Sequence, residues 1–154
     1  MHIFKDKEKK NYKGSYQLEY IVTEFFNDEV SKNRFGIKFR YDNYYEDLLT
    51  KDTEVYERLR TALRKLTIQV DLSSRYQILE KLGEGNFAGV YKAINKESGD
   101  FIALKKYNAV ELEKEKNAFQ KKCIMQEISI LRRIKNVDNL LRLYEVHEIS
   151  NSIV

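Results

Sequence analysis

Between residues 82 and 90 the chain has the sequence Leu82-Gly83-Glu84-Gly85-Asn86-Phe87-Ala88-Gly89-Val90. This glycine-rich run joins two apolar, β-prone segments, and Ala103-Leu104-Lys105 lies in the segment that follows. Because glycine has no Cβ, such a turn lets backbone N–H groups approach phosphate oxygens closely. A lysine ammonium on the adjacent strand can neutralise those oxygens, so the sequence predicts a phosphate-binding turn.

The order of these segments resembles the small, nucleotide-binding lobe of eukaryotic protein kinases. Ala88 stands at the third glycine position of that family's loop, Phe87 stands at its tip, and Ala103-Leu104-Lys105 is similar to the family's V-A-I-K. The resemblance implies an α+β fold for residues 76–154. It consists of a five-stranded antiparallel sheet, incomplete in its last strand, and one long helix.

The resemblance also implies an ATP site built from the loop, the third strand and the helix. In kinases the strand lysine contacts the ATP phosphates and pairs with a helix glutamate, while the residue after the loop covers the adenine. Alternation along the strand puts Ala103 and Lys105 on one face, and Lys106 is expected at the surface. The implied site residues are Leu82, Gly83, Glu84, Gly85, Asn86, Phe87, Ala88, Gly89, Val90, Ala103, Lys105 and Glu127.

A helix is predicted between Glu111 and Lys135, because isoleucine and leucine recur there at helical spacing. Glu127 lies beside this apolar stripe and is the implied partner of Lys105. The alternatives are Glu111, Glu113 and Glu115, which alternate with lysines where a solvated helix face is expected. Cys123, the only cysteine of the chain, excludes an internal disulfide and is expected to be a packing residue.

The segment Asn139–Val146 is predicted to be the fourth strand, and Asn151–Val154 is predicted to begin a fifth. Leu140–Val146 has the pattern L-x-x-L-Y-E-V, which resembles Ser/Thr kinases of the calcium/calmodulin-dependent group. The family's H-R-D and D-F-G motifs, which position the substrate and Mg²⁺, do not occur in the 154 residues. We therefore expect a truncated chain, inactive alone, whose ATP would carry Mg²⁺ held by a larger lobe.

Residues 1–70 have a different pattern, and residues 71–75 are predicted to be the linker to the kinase-like part. Strands are predicted at Ser15–Phe26, Arg34–Tyr41 and Asn43–Leu49. A helix is predicted after them, with Asp52 or Thr53 as its N-cap. Its apolar stripe is Val55, Leu59, Leu63 and Leu66.

Strands followed by a C-terminal amphipathic helix resemble the second half of a pleckstrin homology domain, and Phe4–Lys10 followed by Lys13–Leu18 is similar to its third strand and the turn into its fourth. The helix lacks the tryptophan that is usual in that family. The resemblance implies a phosphoinositide or protein partner. A phosphoinositide headgroup would be contacted by Lys7, Lys9, Lys10 and Lys13; the alternative is that these lysines belong to a solvated loop.

The charge distribution and the hydropathy of the chain exclude some classes of function. The net charge of +4 divides evenly, with 15 Lys/Arg and 13 Asp/Glu in residues 1–75 and 13 and 11 in residues 76–154, which argues against a nucleic-acid-binding domain. No apolar run predicts a membrane span or a signal peptide. We expect a cytoplasmic chain, recruited to a membrane surface through the pleckstrin-like part.

Three classes of function stay open. The first is a Ser/Thr protein kinase that binds ATP and acts on protein substrates. The second is a membrane- or protein-docking module with a vestigial nucleotide-binding lobe. The third is a regulatory fragment without a ligand.

Overall fold

The computed structural model describes residues 2–4, 12–15, 17–28, 34–41, 44–107, 118–134, 137–149 and 152–154. The chain forms two compact units, Met1–Ile68 and Gln69–Val154. Each unit has its own hydrophobic core, which contains Ile37 and Tyr56 in the first and Leu72 and Tyr76 in the second.

The first unit begins with a hairpin of β1 (His2–Phe4) and β2 (Tyr12–Ser15). Three further strands, β3 (Val22–Asp28), β4 (Arg34–Tyr41) and β5 (Tyr44–Thr50), form an antiparallel meander. The predicted strand at Arg34–Tyr41 is confirmed, and the one predicted at Asn43–Leu49 is confirmed with a shift of one residue.

The single strand predicted at Ser15–Phe26 is wrong. A 3-10 helix at Leu18–Tyr20 interrupts it, and Ile21 N donates to Leu18 O at 3.1 Å. The alternating polar and apolar residues of this stretch therefore cover the end of one strand, a helical turn and the start of another strand.

The helix α1 (Thr53–Arg64) packs against this meander. Its N-cap is Asp52, whose Oδ1 accepts a hydrogen bond of 3.0 Å from Val55 N, so one of the two predicted caps is confirmed. The ring of Tyr56 stacks on Phe35 with centroids 4.9 Å apart. The predicted apolar stripe is wrong at Val55, which is 42% exposed, because Tyr56 and Leu63 are the buried residues of the helix.

The first unit ends at a short strand, β6 (Ile68–Gln69), beside β3. Ile68 N donates to Ile21 O at 2.8 Å, and the fully buried hydroxyls of Thr23 and Thr67 share a hydrogen bond of 2.8 Å. The two threonine hydroxyls thus serve as hydrogen-bond partners for each other, and buried hydroxyls generally have such a partner.

The second unit begins with a turn in residues 71–75. Ser74 N donates to Asp71 Oδ1 at 3.0 Å, and Tyr76 N donates to Leu72 O at 2.9 Å. Leu72 and Tyr76 are buried in the core of this unit.

Three antiparallel strands follow, β7 (Tyr76–Glu84), β8 (Ala88–Asn95) and β9 (Phe101–Tyr107), and they pair in that order. The β7–β8 pairing has two register shifts, whereas the β8–β9 pairing is continuous. A turn closes β8 and β9: Asn95 N donates to Asp100 O at 2.9 Å. Gly99 has a φ of 79° there, which a side chain would disfavour.

The helix α2 (Ala118–Arg133) comes next, with Ile124 and Ile128 buried. The prediction that Cys123 is a packing residue is wrong, because Cys123 lies on the exposed side of this helix. The start predicted at Glu111 lies outside the described residues, and so do the alternative glutamates Glu111, Glu113 and Glu115. Within the described ranges, no helix is both long enough and apolar enough to cross a membrane.

The strand predicted at Asn139–Val146 is wrong. A turn occupies its beginning, where Asn139 has a φ of 64° and Leu140 N donates to Val137 O at 3.4 Å. The strand present is β10 (Val146–Ile149), which forms a hairpin with β11 (Ser152–Ile153) and confirms the predicted last strand.

The predicted five-stranded sheet is not formed among the described residues. Strands β7 to β9 make one sheet, and the hairpin of β10 and β11 is not hydrogen-bonded to it. Ile149 and Val154 nevertheless pack against the core that contains Leu72 and Tyr76. Apolar packing therefore contributes to the attachment of the hairpin to the unit.

A polar network adds a second attachment. Arg75 Nη2 lies 3.3 Å from Glu145 Oε1, and Glu145 Oε2 lies 3.1 Å from His147 Nε2. The ring of the buried His147 stands edge-on to Tyr76, with centroids 5.8 Å apart. Because these groups are mostly withdrawn from solvent, they pair with one another.

The cap of α1 gives a test of the first unit. Asp52→Ala removes the acceptor for Val55 N, so we expect the free energy of unfolding of this unit to fall by about 1 kcal/mol. Urea denaturation followed through the NMR amide signals of α1 measures the change. Asp52→Asn keeps a capping oxygen and should stay near the unsubstituted value; equal losses in both variants would contradict the cap.

Candidate functional site

The glycine-rich turn lies between β7 and β8. Leu82, Gly83 and Glu84 are the last residues of β7, and Gly83 pairs with Val90 across the hairpin. Gly85 N donates to Ala88 O at 2.8 Å and closes the turn. Phe87, at the tip of the hairpin, is 52% exposed.

Two of the three glycines of this run, Gly83 and Gly85, leave space next to the backbone, whereas a Cβ on Gly89 would lie 2.9 Å from the ring of Tyr91. A Cβ on Gly83 would meet no atom within 4 Å, and one on Gly85 would meet only Ala88 O at 3.6 Å. Neither residue has a positive φ. Their contribution is therefore room for close approach to the backbone, and not an unusual backbone conformation.

The pairing of β8 with β9 places the strand lysine opposite the end of the turn. Val90 is directly opposite Lys105, and Lys92 is opposite Ala103. Residues that face each other across a ladder point to the same side of the sheet, so Val90, Ala103 and Lys105 share one face. Leu104, between the last two, is buried on the other face.

Lys105 is paired with Glu127 of α2, and Lys105 Nζ donates to Glu127 Oε1 at 2.6 Å. Their side chains are 46% and 43% exposed, so the pair alone stabilises the fold by only about 0–1 kcal/mol. The pair instead fixes the position of the Lys105 ammonium, on the face of the sheet that also carries Val90 and Ala103.

Tyr107 is a third member of this cluster that sequence reasoning missed. Its hydroxyl donates to Glu127 Oε2 at 2.9 Å, and Lys105 Nζ lies 5.1 Å from the centre of its ring. Alternation puts Tyr107 on the same face as Lys105, two residues away, but no local pattern indicates its bond to Glu127, 20 residues along the chain.

The contacts of this cluster shift its pKa values. Burial lowers the pKa of Lys105, but Glu127 and Tyr107 outweigh it, and the pKa lies above the ordinary 10.5. Burial raises the pKa of Glu127, but hydrogen bonds from Lys105 and Tyr107 outweigh it, and the pKa lies below 4.5. Burial is also the main cause of the raised pKa of Tyr107, whose phenol stays protonated as a donor.

These pKa shifts define the pH range in which both members of the ion pair are charged. The lowered pKa of Glu127 contributes stability above the pKa of the unfolded chain, and this is lost as the pH falls through the folded value. The raised pKa of Lys105 contributes stability below its unfolded pKa, and this is lost as the pH rises through the folded value. The pair is therefore fully charged throughout the neutral range.

A pocket of about 150 Å³ lies beside the ion pair. Ala103, Lys105, Tyr107 and Glu127 line one part of it, and the segment Arg142–His147 lines another. No residue from Leu82 to Val90 is among its lining residues. The cluster around Glu127 therefore borders this partly open pocket, and the residues of the glycine turn do not line it.

Most of the predicted site residues come together in the second unit. Val90, Ala103, Lys105 and Glu127 lie together; Ala88 and Gly89 adjoin them through the β8–β9 pairing, and Gly83 and Glu84 through the β7–β8 pairing. Glu84 is paired with Lys81 at 2.7 Å, which directs its carboxylate along its own strand. That these residues bind ATP stays a prediction.

Residues 76–154, which are 79 of the 154 residues, match the family model described as protein kinase domain. The chain belongs to the protein kinase domain family. The kinase-like small lobe indicated by the sequence from Tyr76 onward is thereby confirmed.

Relatives support this assignment. The chain is 39% identical over 71 residues to the CTD kinase subunit alpha of Schizosaccharomyces pombe, covering 46% of this chain and 11% of that protein. It is 29% identical over 121 residues to the probable serine/threonine-protein kinase fhkA of Dictyostelium discoideum, covering 75% of this chain and 20% of that protein. The chain thus spans a fifth or less of these relatives' lengths.

Among solved structures, the chain is similar to Rad53 1-466 in complex with AMP-PNP. The sequence identity is 20% and the TM-score is 0.47, with 85% of this chain and 36% of that chain covered.

The ion pair gives a test of the site. In Glu127→Gln the carboxylate is lost, so burial and Tyr107 alone act on Lys105, and we expect its pKa to fall. The pH titration of the Lys105 Cε signal by NMR measures it. Glu80→Gln is the matched control, because Glu80 pairs with Lys92 at 3.5 Å and not with Lys105. An unchanged Lys105 pKa in Glu127→Gln would contradict the pairing.

Proposed function

We propose that residues 76–154 form the ATP-binding small lobe of a Ser/Thr protein kinase, which transfers the γ-phosphate of ATP to hydroxyl groups of proteins. The observation that carries the proposal is the contact of 2.6 Å between Lys105 Nζ and Glu127 Oε1 in a chain of this family. Phosphoryl transfer depends on positioned charge, and a lysine held by a helix glutamate supplies it.

The residues present fit an ATP molecule. The open space beside Gly83 and Gly85 admits a phosphate group close to backbone N–H donors. The ammonium of Lys105 stands on the neighbouring strand, with its side chain 46% exposed and thus accessible to an anion. Val90 and Ala103, on the same face as Lys105, offer apolar contacts to the adenine.

The names of the relatives support the choice of substrate class. One is a CTD kinase subunit and another is a probable serine/threonine-protein kinase. Placement in the calcium/calmodulin-dependent group rests on the sequence of Leu140–Val146 alone. We assign the activity to the cytoplasm, where a single cysteine stays reduced.

Binding and transfer are separate parts of this proposal. The 154 residues contain no H-R-D or D-F-G motif, and these motifs supply the groups that orient the substrate hydroxyl and hold Mg²⁺ in kinases. We propose that residues 1–154 bind ATP weakly and do not transfer its phosphate without a larger lobe.

We also propose that residues 1–70 are a partial pleckstrin-homology-like domain, joined through residues 71–75 to the kinase lobe. The meander of β3 to β5 and the packing of Tyr56 on Phe35 support it. The phosphoinositide contact has no such support: Lys7, Lys9 and Lys10 lie outside the described residues, and so does the side chain of Lys13.

Lys105→Met tests the proposed function. It removes a charged hydrogen bond to the phosphates, so the affinity for Mg·ATP should fall about ten- to a hundredfold. Isothermal titration calorimetry measures it. Lys106→Met is the matched control, because Lys106 is next to Lys105 in sequence but lies on the opposite face of β9. The Lys106→Met chain should bind ATP as tightly as the unsubstituted chain does. Equal affinities for all three chains would remove Lys105 from the site.

A further inference from the structure

Both oxygens of the Glu127 carboxylate are held by one strand. Oε1 accepts from Lys105 Nζ at 2.6 Å, and Oε2 accepts from the Tyr107 hydroxyl at 2.9 Å. The two donors are two residues apart on β9, so they share a face and approach the carboxylate side by side. A carboxylate held at both oxygens cannot rotate away from one donor without disturbing the other.

The two contacts differ in their protection from solvent. The side chains of Lys105 and Glu127 are nearly half exposed, whereas Tyr107 is only 8% exposed. A lysine side chain has four flexible bonds, and an exposed lysine–carboxylate pair exchanges readily with water. A buried tyrosine has two side-chain torsions and its ring is fixed by packing, so its hydroxyl is the more rigid of the two donors.

We propose that Tyr107 is a positioning residue of the ATP site. Its hydroxyl fixes the Glu127 carboxylate against β9 so that Glu127 orients Lys105 before a nucleotide arrives. This inference rests on the proposed function, because it assigns Tyr107 a role in that same site. Tyr107 acts through Glu127 and does not itself touch the phosphates.

The arrangement has a consequence for α2. Glu127 joins this helix to β9 through two hydrogen bonds, and any movement of the helix away from β9 must break both. When Lys105 turns toward a phosphate oxygen, the bond from Tyr107 still holds Glu127 in place. The side chains of the site are thereby ordered before ATP binds, so binding loses less conformational entropy and the affinity rises.

Tyr107→Phe tests the proposal, since it keeps the ring and removes only the hydroxyl. We expect the pKa of Glu127 to rise toward its ordinary value and the affinity for Mg·ATP to fall about two- to tenfold. The Glu127 Cδ signal in a ¹³C NMR titration and calorimetry on residues 1–154 provide the two readouts. Tyr56→Phe is the matched control, because Tyr56 is an equally buried tyrosine, 5% exposed, that packs on Phe35 within the first unit.

A double-mutant cycle separates positioning from general stability. If Tyr107 acts through Glu127, then Tyr107→Phe should not lower ATP affinity further in a Glu127→Gln chain. An additional loss in that background, equal to the loss in the unsubstituted chain, would overturn the proposal. So would a Glu127 pKa in Tyr107→Phe equal to that of the unsubstituted chain.

The experiments distinguish failure of the proposed ATP binding from failure of the proposed role of Tyr107. If the unsubstituted chain binds no ATP, the proposed function is contradicted, and the Glu127 titration alone then decides whether Tyr107 holds the carboxylate. A raised Glu127 pKa in Tyr107→Phe supports the placement of Tyr107 in that case, and an unchanged one refutes it.

Discussion

The ion pair between Lys105 and Glu127 is the contact around which the candidate site of the second unit is organised. It joins a strand to a helix across 22 residues of chain, with a hydrogen bond of 2.6 Å. The pair is too exposed to stabilise the fold strongly. It persists because the surrounding structure already brings the two groups together: Ile124 and Ile128 bury one side of the helix, and the hydroxyl of Tyr107 holds the remaining carboxylate oxygen. A weak contact thus acquires a defined geometry from stronger neighbours.

The two units attach their helices in different ways. In the first unit α1 is held by apolar packing, with Tyr56 stacked on Phe35 and Leu63 buried beside Ile37. In the second unit α2 combines apolar packing with charged and hydroxyl contacts at Glu127. Apolar packing is insensitive to pH and to anions, whereas a charged contact responds to both. The second arrangement is suited to a surface that receives a phosphate.

Sequence patterns predicted the elements of the second unit best where local rules decide the structure. The glycine turn, the alternation of Ala103 and Lys105, and Glu127 beside the apolar stripe all follow from short-range periodicity. The strand predicted at Asn139–Val146 failed because a turn with Asn139 in the left-handed region occupies its start, and such a turn leaves no mark in hydropathy. Tyr107 was missed because its significance comes from a carboxylate 20 residues away. In the first unit, alternation over Ser15–Phe26 did not distinguish a continuous strand from two strands around a helical turn.

The turn between β8 and β9 limits which insertions and deletions the candidate site can tolerate. The pairing from Ala88 opposite Tyr107 to Ile94 opposite Phe101 is continuous, and the turn with Gly99 at its corner sets its register. Because the side-chain period of a strand is two, a slip of one residue would put Leu104 or Lys106 where Lys105 now stands, and would carry the Lys105 ammonium to the other face of the sheet. Single-residue insertions or deletions in that turn therefore act on the site as severely as replacement of Lys105 itself. Changes of two residues preserve the face and alter only the position along the strand.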